Sequence, residues 1–190
     1  LDWRTTTRML GLFDPRPMFR IVGPVLRPLR YLTYVVPLLL LAALMVVYQY
    51  SDLVVEDLAA LGIEKTLVEH LLFVFVTVHV VTTLTAGLVA DAFKVSVEKV
   101  GVTLTMWVIP RWVLKMNGAD RLNRTQTMWL HGSTLIARMV MFSIGVLIWF
   151  NARDTDSGFA TFGLLLGLAC AAGLILESGN PLIKANGYYL

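Results

Sequence analysis

Cysteine and charge are both scarce in this chain. Cys170 is the single cysteine among 190 residues and sits inside an apolar run. That excludes an internal disulfide and a thiolate metal cluster, and makes Cys170 an expected small core residue. Only 15% of residues are charged, against 57% hydrophobic. The charges are also unevenly spread, and they leave apolar stretches that a soluble fold would struggle to keep out of water. A net charge of +3 brings nucleic acid to mind. The basic residues flank apolar segments, however, and do not interleave with aromatics, so they read as orientation signals and no nucleic-acid partner is expected.

What is present is the pattern of an all-α integral membrane protein. Four spans are expected, at about 31–50, 67–90, 133–150 and 159–176. The first would cover about 30 Å as helix, the thickness of a bilayer core, with Tyr31, Tyr34, Tyr48 and Tyr50 near its ends as an aromatic belt. Pro37 is expected in its first turns. Nothing before it reads as a cleavable signal, so this run is expected to be a permanent span. The second span is the most polar at depth, with His79, Thr82, Thr83 and Thr85. Polar groups in hydrocarbon need partners, which makes this helix the expected centre of the bundle. Gly163 and Gly167 in the fourth span form a small-residue packing face.

The connections carry the rest of the organisation. Residues 1–30 hold Arg4, Arg8, Arg16, Arg20, Arg27 and Arg30 among four prolines, as expected of an interfacial arm with short helical pieces that favours anionic lipids. Residues 31–190 form the transmembrane domain. Between spans two and three, the apolar stretch Gly101–Leu114 is too short to span easily and contains Pro110. It is expected to be an interfacial or re-entrant, strand-like segment. Lysine and arginine are concentrated in these two regions, whereas Asp52, Glu56, Asp57 and Glu64 occupy the first connection. The positive-inside rule then puts both ends in the cytoplasm, with a bacterial inner membrane as the expected location.

Few residues offer chemistry. His79 reads as a structural histidine bonded to a threonine or carbonyl, as a ligand or site remnant, or as an incidental lipid-facing residue. His70 lies on the opposite helical face, so the two cannot share a metal on this helix. His131 sits beside Trp129 near the cytoplasmic end of span three. Neither His79 nor His131 has a visible paired axial ligand for haem or another pigment. Glu177, Asn180 and Asn186 follow the last span, where Ser178, Gly179 and Pro181 signal a helix stop and Asn186-Gly187 a turn. That turn either stays at the surface or brings Asn186 back toward His79.

The ending Asn180-Pro181-Leu182-Ile183-Lys184-Ala185-Asn186-Gly187-Tyr188-Tyr189 resembles the Asn-Pro-Leu-x-(Arg/Lys)-x-Asp-Gly-Tyr-Tyr signature of intramembrane zinc metallopeptidases related to the site-2 protease, in particular their peptide zinc metalloprotease branch. The order of elements before it is similar too. The resemblance implies a helix in which His-Glu-x-x-His supplies two zinc ligands and a base, with the motif's Asp as third ligand. Here the first His matches His79, the Glu falls at Val80, the second His at Thr83 and the Asp at Asn186. Zinc hydrolysis needs three protein ligands and a base for the bound water; valine accepts no proton, and threonine and asparagine are weak ligands. No catalytic, metal or cofactor residue is therefore assigned. The chain is expected to be a pseudoprotease serving as a scaffold or accessory subunit for one or more integral membrane proteins. The rival readings are a residual zinc protease and a peptide- or lipid-handling transport accessory.

Overall fold

A computed structural model describes residues 10–13, 32–62, 65–105, 109–117, 122–155 and 157–175. Most of the arginine-rich arm and the whole terminal motif, including Glu177, Asn180 and Asn186, lie outside the described residues. In chain order the elements are β1 (Leu10–Phe13), α1 (Leu32–Gln49), α2 (Ser51–Ala59), α3 (Lys65–Ala92), β2 (Ser96–Thr105), β3 (Ile109–Asn117), α4 (Arg124–Ala152) and α5 (Ser157–Gly173). The protein is predominantly helical, as expected, with a small antiparallel sheet at one end of the bundle.

Two helices, α3 and α4, are long and apolar enough to cross a membrane, and a third crossing exists if α1 and α2 count together as one span. These helices suggest membrane association. Among the described residues the expected four spans are not found. One reason is that α1, although it ends at Gln49 much as the expected first span does, has 18 residues, about 27 Å of helix, and counts as a crossing only together with α2, into which the chain bends by 74°. The other is that the described α-helical stretch of α5 has 17 residues, about 26 Å of helix, short of the roughly 30 Å core. Pro37 falls in the second turn of α1 and costs one backbone bond there.

α4 is the centre of the bundle, a place expected for the second span. Leu130, Ser133, Ala137, Met141 and Gly145 recur at three- and four-residue steps along one buried stripe, while Arg138, Val146 and Trp149 form another. A helix buried on two sides must be flanked on both, and α1, α3 and α5 all pack against α4. α3 contributes the stripe Val74, Val78 and Thr82, which meets Met141, Leu165, Leu166 and the fully buried Cys170. On their outer sides α1 exposes Leu38, Leu41 and Met45, and α3 exposes Leu72, Phe73 and Val76, as lipid-facing surfaces do.

α4 begins at Arg124, well before the expected Ser133. Asn123 accepts from the Gln126 amide at 2.8 Å, and the Gln126 side chain accepts from the Asn123 amide at 3.1 Å. This capping box satisfies two of the donors that a helix start leaves open. The end of α3 is marked by Lys94, whose φ of 60° is left-handed. The Val95 amide then reaches back to the Ala90 carbonyl at 2.9 Å, and Val95 packs on Ala90, closing the helix and redirecting the chain into β2.

The expected strand-like segment is a β-hairpin, longer than Gly101–Leu114. β2 pairs antiparallel with β3 from Ser96↔Asn117 to Thr105↔Ile109, with an irregularity between Val97 and Lys99. β1 adds to the other edge of β2 through Leu10↔Val102 and Phe13↔Val100, so this part of the N-terminal arm is a strand and not one of the expected short helical pieces. Val95 and Val97 pack with Ala90, Leu130, Leu88 and Met116, which fixes the base of the hairpin to the adjoining ends of α3 and α4.

Candidate functional site

The positions singled out by sequence, His79, Val80 and Thr83, share one turn of α3. The His79 Nδ1 lies 2.9 Å from the Phe75 carbonyl oxygen one turn earlier, and the two rings sit with centroids 4.1 Å apart. A carbonyl can only accept, so Nδ1 carries the proton in this contact. The Thr82 hydroxyl is shared between the Val78 carbonyl at 2.7 Å and the His79 carbonyl at 3.1 Å, and Thr85 donates to Val81 at 2.8 Å. His79, Thr82 and Thr85 are thus served by their own helix, by back-bonding to carbonyls about one turn earlier. Of the three roles that the sequence leaves open for His79, the geometry matches the structural histidine bonded to a carbonyl. Val80 and Thr83 are half-buried beside it.

Chemically this turn offers one imidazole nitrogen beyond the carbonyl contact, an aliphatic side chain and a hydroxyl. Among the described residues, no group of three or more His, Cys, Asp and Glu side chains is placed to hold a metal ion. His70 bonds the Thr66 carbonyl at 2.7 Å, about 14 Å along the helix axis from His79. His131 is half-buried on α4, where its carbonyl accepts from Thr134 at 2.8 Å.

Two further polar features carry more weight in the structure than their place in the sequence suggests. Arg138 stands midway along α4 and is 8% exposed. Its Nη1 donates to the Gly173 carbonyl at 2.6 Å, at the last residue of α5. A charged guanidinium buried among apolar helices needs an acceptor, and the Gly173 carbonyl supplies one. One arginine inside an otherwise uncharged run of 28 residues, from Thr125 to Ala152, is the sequence signal for this group.

The second feature closes the opposite end of the bundle. Asp57 on α2 accepts from the Trp149 indole at 2.8 Å and from Arg153 Nε and Nη2 at 2.9 and 3.2 Å. Glu56 lies 3.6 Å from the same guanidinium. Burial alone would raise the Asp57 pKa, but the bonds from Arg153 and Trp149 together with the Arg153 charge outweigh it and hold the carboxyl below 3.8. Asp57 in turn raises the pKa of Arg153. The cluster staples α2 to the end of α4, and no spacing rule points to it because its members are far apart in sequence.

α4 and α5 meet at their glycines. A Cβ on Gly163 would fall 2.6 Å from the Trp149 nitrogen and 2.7 Å from the Gly145 oxygen, and one on Gly145 would meet Gly167 and Gly163 backbone at 2.7 and 2.8 Å. The small-residue face at Gly163 is thus a site of backbone contact, as its spacing suggests. Compared with family models, curated proteins and solved structures, the chain finds no match.

Proposed function

We propose that this chain is a non-catalytic membrane scaffold or accessory subunit, built on a bundle related to the intramembrane zinc metallopeptidases and serving to hold one or more other integral membrane proteins. The observation that carries the reading is the turn around His79. Where hydrolysis requires a base and a second imidazole, the helix presents Val80 and Thr83, and the His79 Nδ1 is engaged with the Phe75 carbonyl. Metal-assisted attack by water needs a proton acceptor beside the bound water, and valine is none. The resemblance of the terminal motif supports the ancestry, and Asn186 in place of an acidic ligand agrees with loss of the metal.

The orientation that fits is a cytoplasmic hairpin end and an opposite end formed by α2 and the α4–α5 connection, in a membrane of the bacterial inner type. Lys94, Lys99, Arg111, Lys115 and Arg124 support the first, and Asp52, Glu56, Asp57 and Asp154 the second. The pairing of β1 with β2 supports an N-terminal arm on the hairpin side.

The test is the native state of the full chain. After mild solubilisation it is expected to migrate as part of a larger complex with a stoichiometric membrane partner, without stoichiometric zinc, and with assembly unchanged by His79→Ala. A chain that reproducibly runs alone would sink the scaffold role. Stoichiometric zinc lost on His79→Ala would restore the protease reading.

A further inference from the structure

The hairpin carries two unlike faces, and its register shows how they are made. Cross-strand partners in an antiparallel pair lie on the same face, and faces alternate along each strand. Lys99↔Lys115, Gly101↔Val113 and Thr103↔Arg111 therefore occupy one face. Val100↔Leu114, Val102↔Trp112 and Leu104↔Pro110 occupy the other. β1 extends the second face, because Leu10 pairs with Val102 and Phe13 with Val100, and it adds no charge to the first. By register, the positions of one face are all apolar, and those of the other include every lysine and arginine of the paired strands.

Two features of this arrangement call for a ligand. Lys99 and Lys115 are direct cross-strand partners, and like charges in that position destabilise a sheet. Lys99 is also exposed, so burial does not explain its retention at that site. Val100, one residue on and on the opposite face, is 2% exposed. A multivalent or crowded anion would turn this unfavourable pair into a binding site.

The position of the hairpin decides which anion. β2 begins four residues after α3 ends and β3 is followed by α4, and both are helices able to cross a membrane. The base of the ribbon is tied to those helix ends through Val95 and Val97. A strand of ten residues is about 33 Å long, so one that stood upright would carry its apolar face far into water. Laid along the interface, the same ribbon has its apolar face toward acyl chains and helix ends and its basic face at the level of the phosphates, as amphipathic interfacial helices do. Lys94 and Arg124 flank it and add positive charge at the same end, against Asp91 and Glu98.

We infer that the Lys99, Arg111 and Lys115 face of the β2–β3 hairpin is a binding surface for the headgroups of anionic phospholipids. It is distinct from the N-terminal arginine arm and independent of whether the bundle holds a partner. Each lysine or arginine at an anionic surface strengthens binding by about fivefold, and the effect decays within a Debye length. Lipid binding here should therefore weaken as salt rises.

The experiment uses the full chain purified in a neutral detergent and titrated with phosphatidylglycerol, with phosphatidylcholine in parallel. Bound lipid is read by native mass spectrometry and the unfolding midpoint by circular dichroism. Wild type is expected to bind phosphatidylglycerol preferentially and to gain thermal stability from it. Lys99→Ser with Lys115→Ser should weaken that binding about thirtyfold while leaving phosphatidylcholine binding as it was. Lys99→Glu keeps the assay decisive if the double variant folds poorly. It replaces cross-strand repulsion by attraction, so it should unfold at a higher temperature than wild type in neutral detergent and gain less from phosphatidylglycerol. Equal binding of the two lipids, or an undiminished response in either variant, overturns the inference. Displacement of phosphatidylglycerol by a short oligonucleotide at matched charge concentration overturns it in favour of a nucleic-acid surface.

Discussion

Gly163 and Gly167 have the same spacing signal and the same residue type, yet they should respond oppositely to alanine. At Gly163 a new methyl would stand 2.6 Å from the Trp149 nitrogen and 2.7 Å from the Gly145 oxygen, where ordinary contact begins near 3.4 Å. Both obstacles are backbone, so α4 and α5 must separate by about 0.8 Å, and a gap of that size forfeits a quarter to a half of the dispersion energy of each contact across the seam. Overpacking of this kind costs about 1–3 kcal/mol, from which the better helix propensity of alanine recovers up to about 1 kcal/mol. At Gly167 the methyl would meet Val146 Cγ2 at 3.4 Å and backbone only at 3.7 Å. The propensity gain is then unopposed, so Gly167→Ala should be neutral or stabilising by up to about 1 kcal/mol. Equilibrium unfolding of both variants in a neutral detergent, followed by circular dichroism, separates the cases. A Gly163→Ala variant as stable as Gly167→Ala, or more stable, would refute the close-approach argument.

Two other predictions concern the polar ends of the bundle. The Asp57 carboxyl is held below its ordinary pKa of 3.8, so its contribution to stability is fully present above that value and is lost as pH falls through the lower, folded-state value. Asp57→Asn should thus unfold earlier than wild type at pH 7, and the gap between their thermal midpoints should shrink below about pH 4; a constant gap would mean that the carboxylate is not held by Arg153 and Trp149. Arg138→Met keeps much of the stem and removes the donor to the Gly173 carbonyl. The loss of a hydrogen bond from a charged group costs about 1.5–3 kcal/mol, and it should be local, with the amides of residues 170–173 exchanging faster while those of residues 74–78 stay as slow as in wild type.

Apolar runs are the most legible part of the sequence, because a helix long enough to cross a bilayer needs little beyond length and hydropathy. Its limits are not legible in the same way. Asn123 and Gln126 extend α4 by about two and a half turns through a capping box that lies outside the apolar run, and the bend at Tyr50, where the first span is expected to end, joins α1 to α2 as a bent pair. The centre of the bundle falls on α4 instead of α3 for a physical reason. Threonines and a histidine in hydrocarbon do need partners, but Thr82 and Thr85 find them in carbonyls one turn earlier on the same helix. The group that does need a distant partner is Arg138, a charge that cannot be neutralised by its own backbone. The hairpin is visible in the sequence as apolar and basic, yet only the pairing register sorts those two characters onto separate faces.

The self-sufficiency of α3 leads to the prediction on which the proposed function depends most. The Phe75 carbonyl belongs to a regular helical turn, so the imidazole adds a second bond to an acceptor that does not require it. Replacing His79 with leucine removes a polar group and leaves no buried partner stranded, the condition under which losing a hydrogen bond is nearly neutral. His79→Leu should therefore change unfolding stability by less than about 1 kcal/mol. A helix face of this kind can meet lipid or a neighbouring protein without stranding a donor. If His79→Leu instead cost more than about 3 kcal/mol, the scale seen when one member of a buried charged or ligated set is removed, the imidazole would have to be gripping something beyond Phe75, and a metal-dependent role would displace the scaffold.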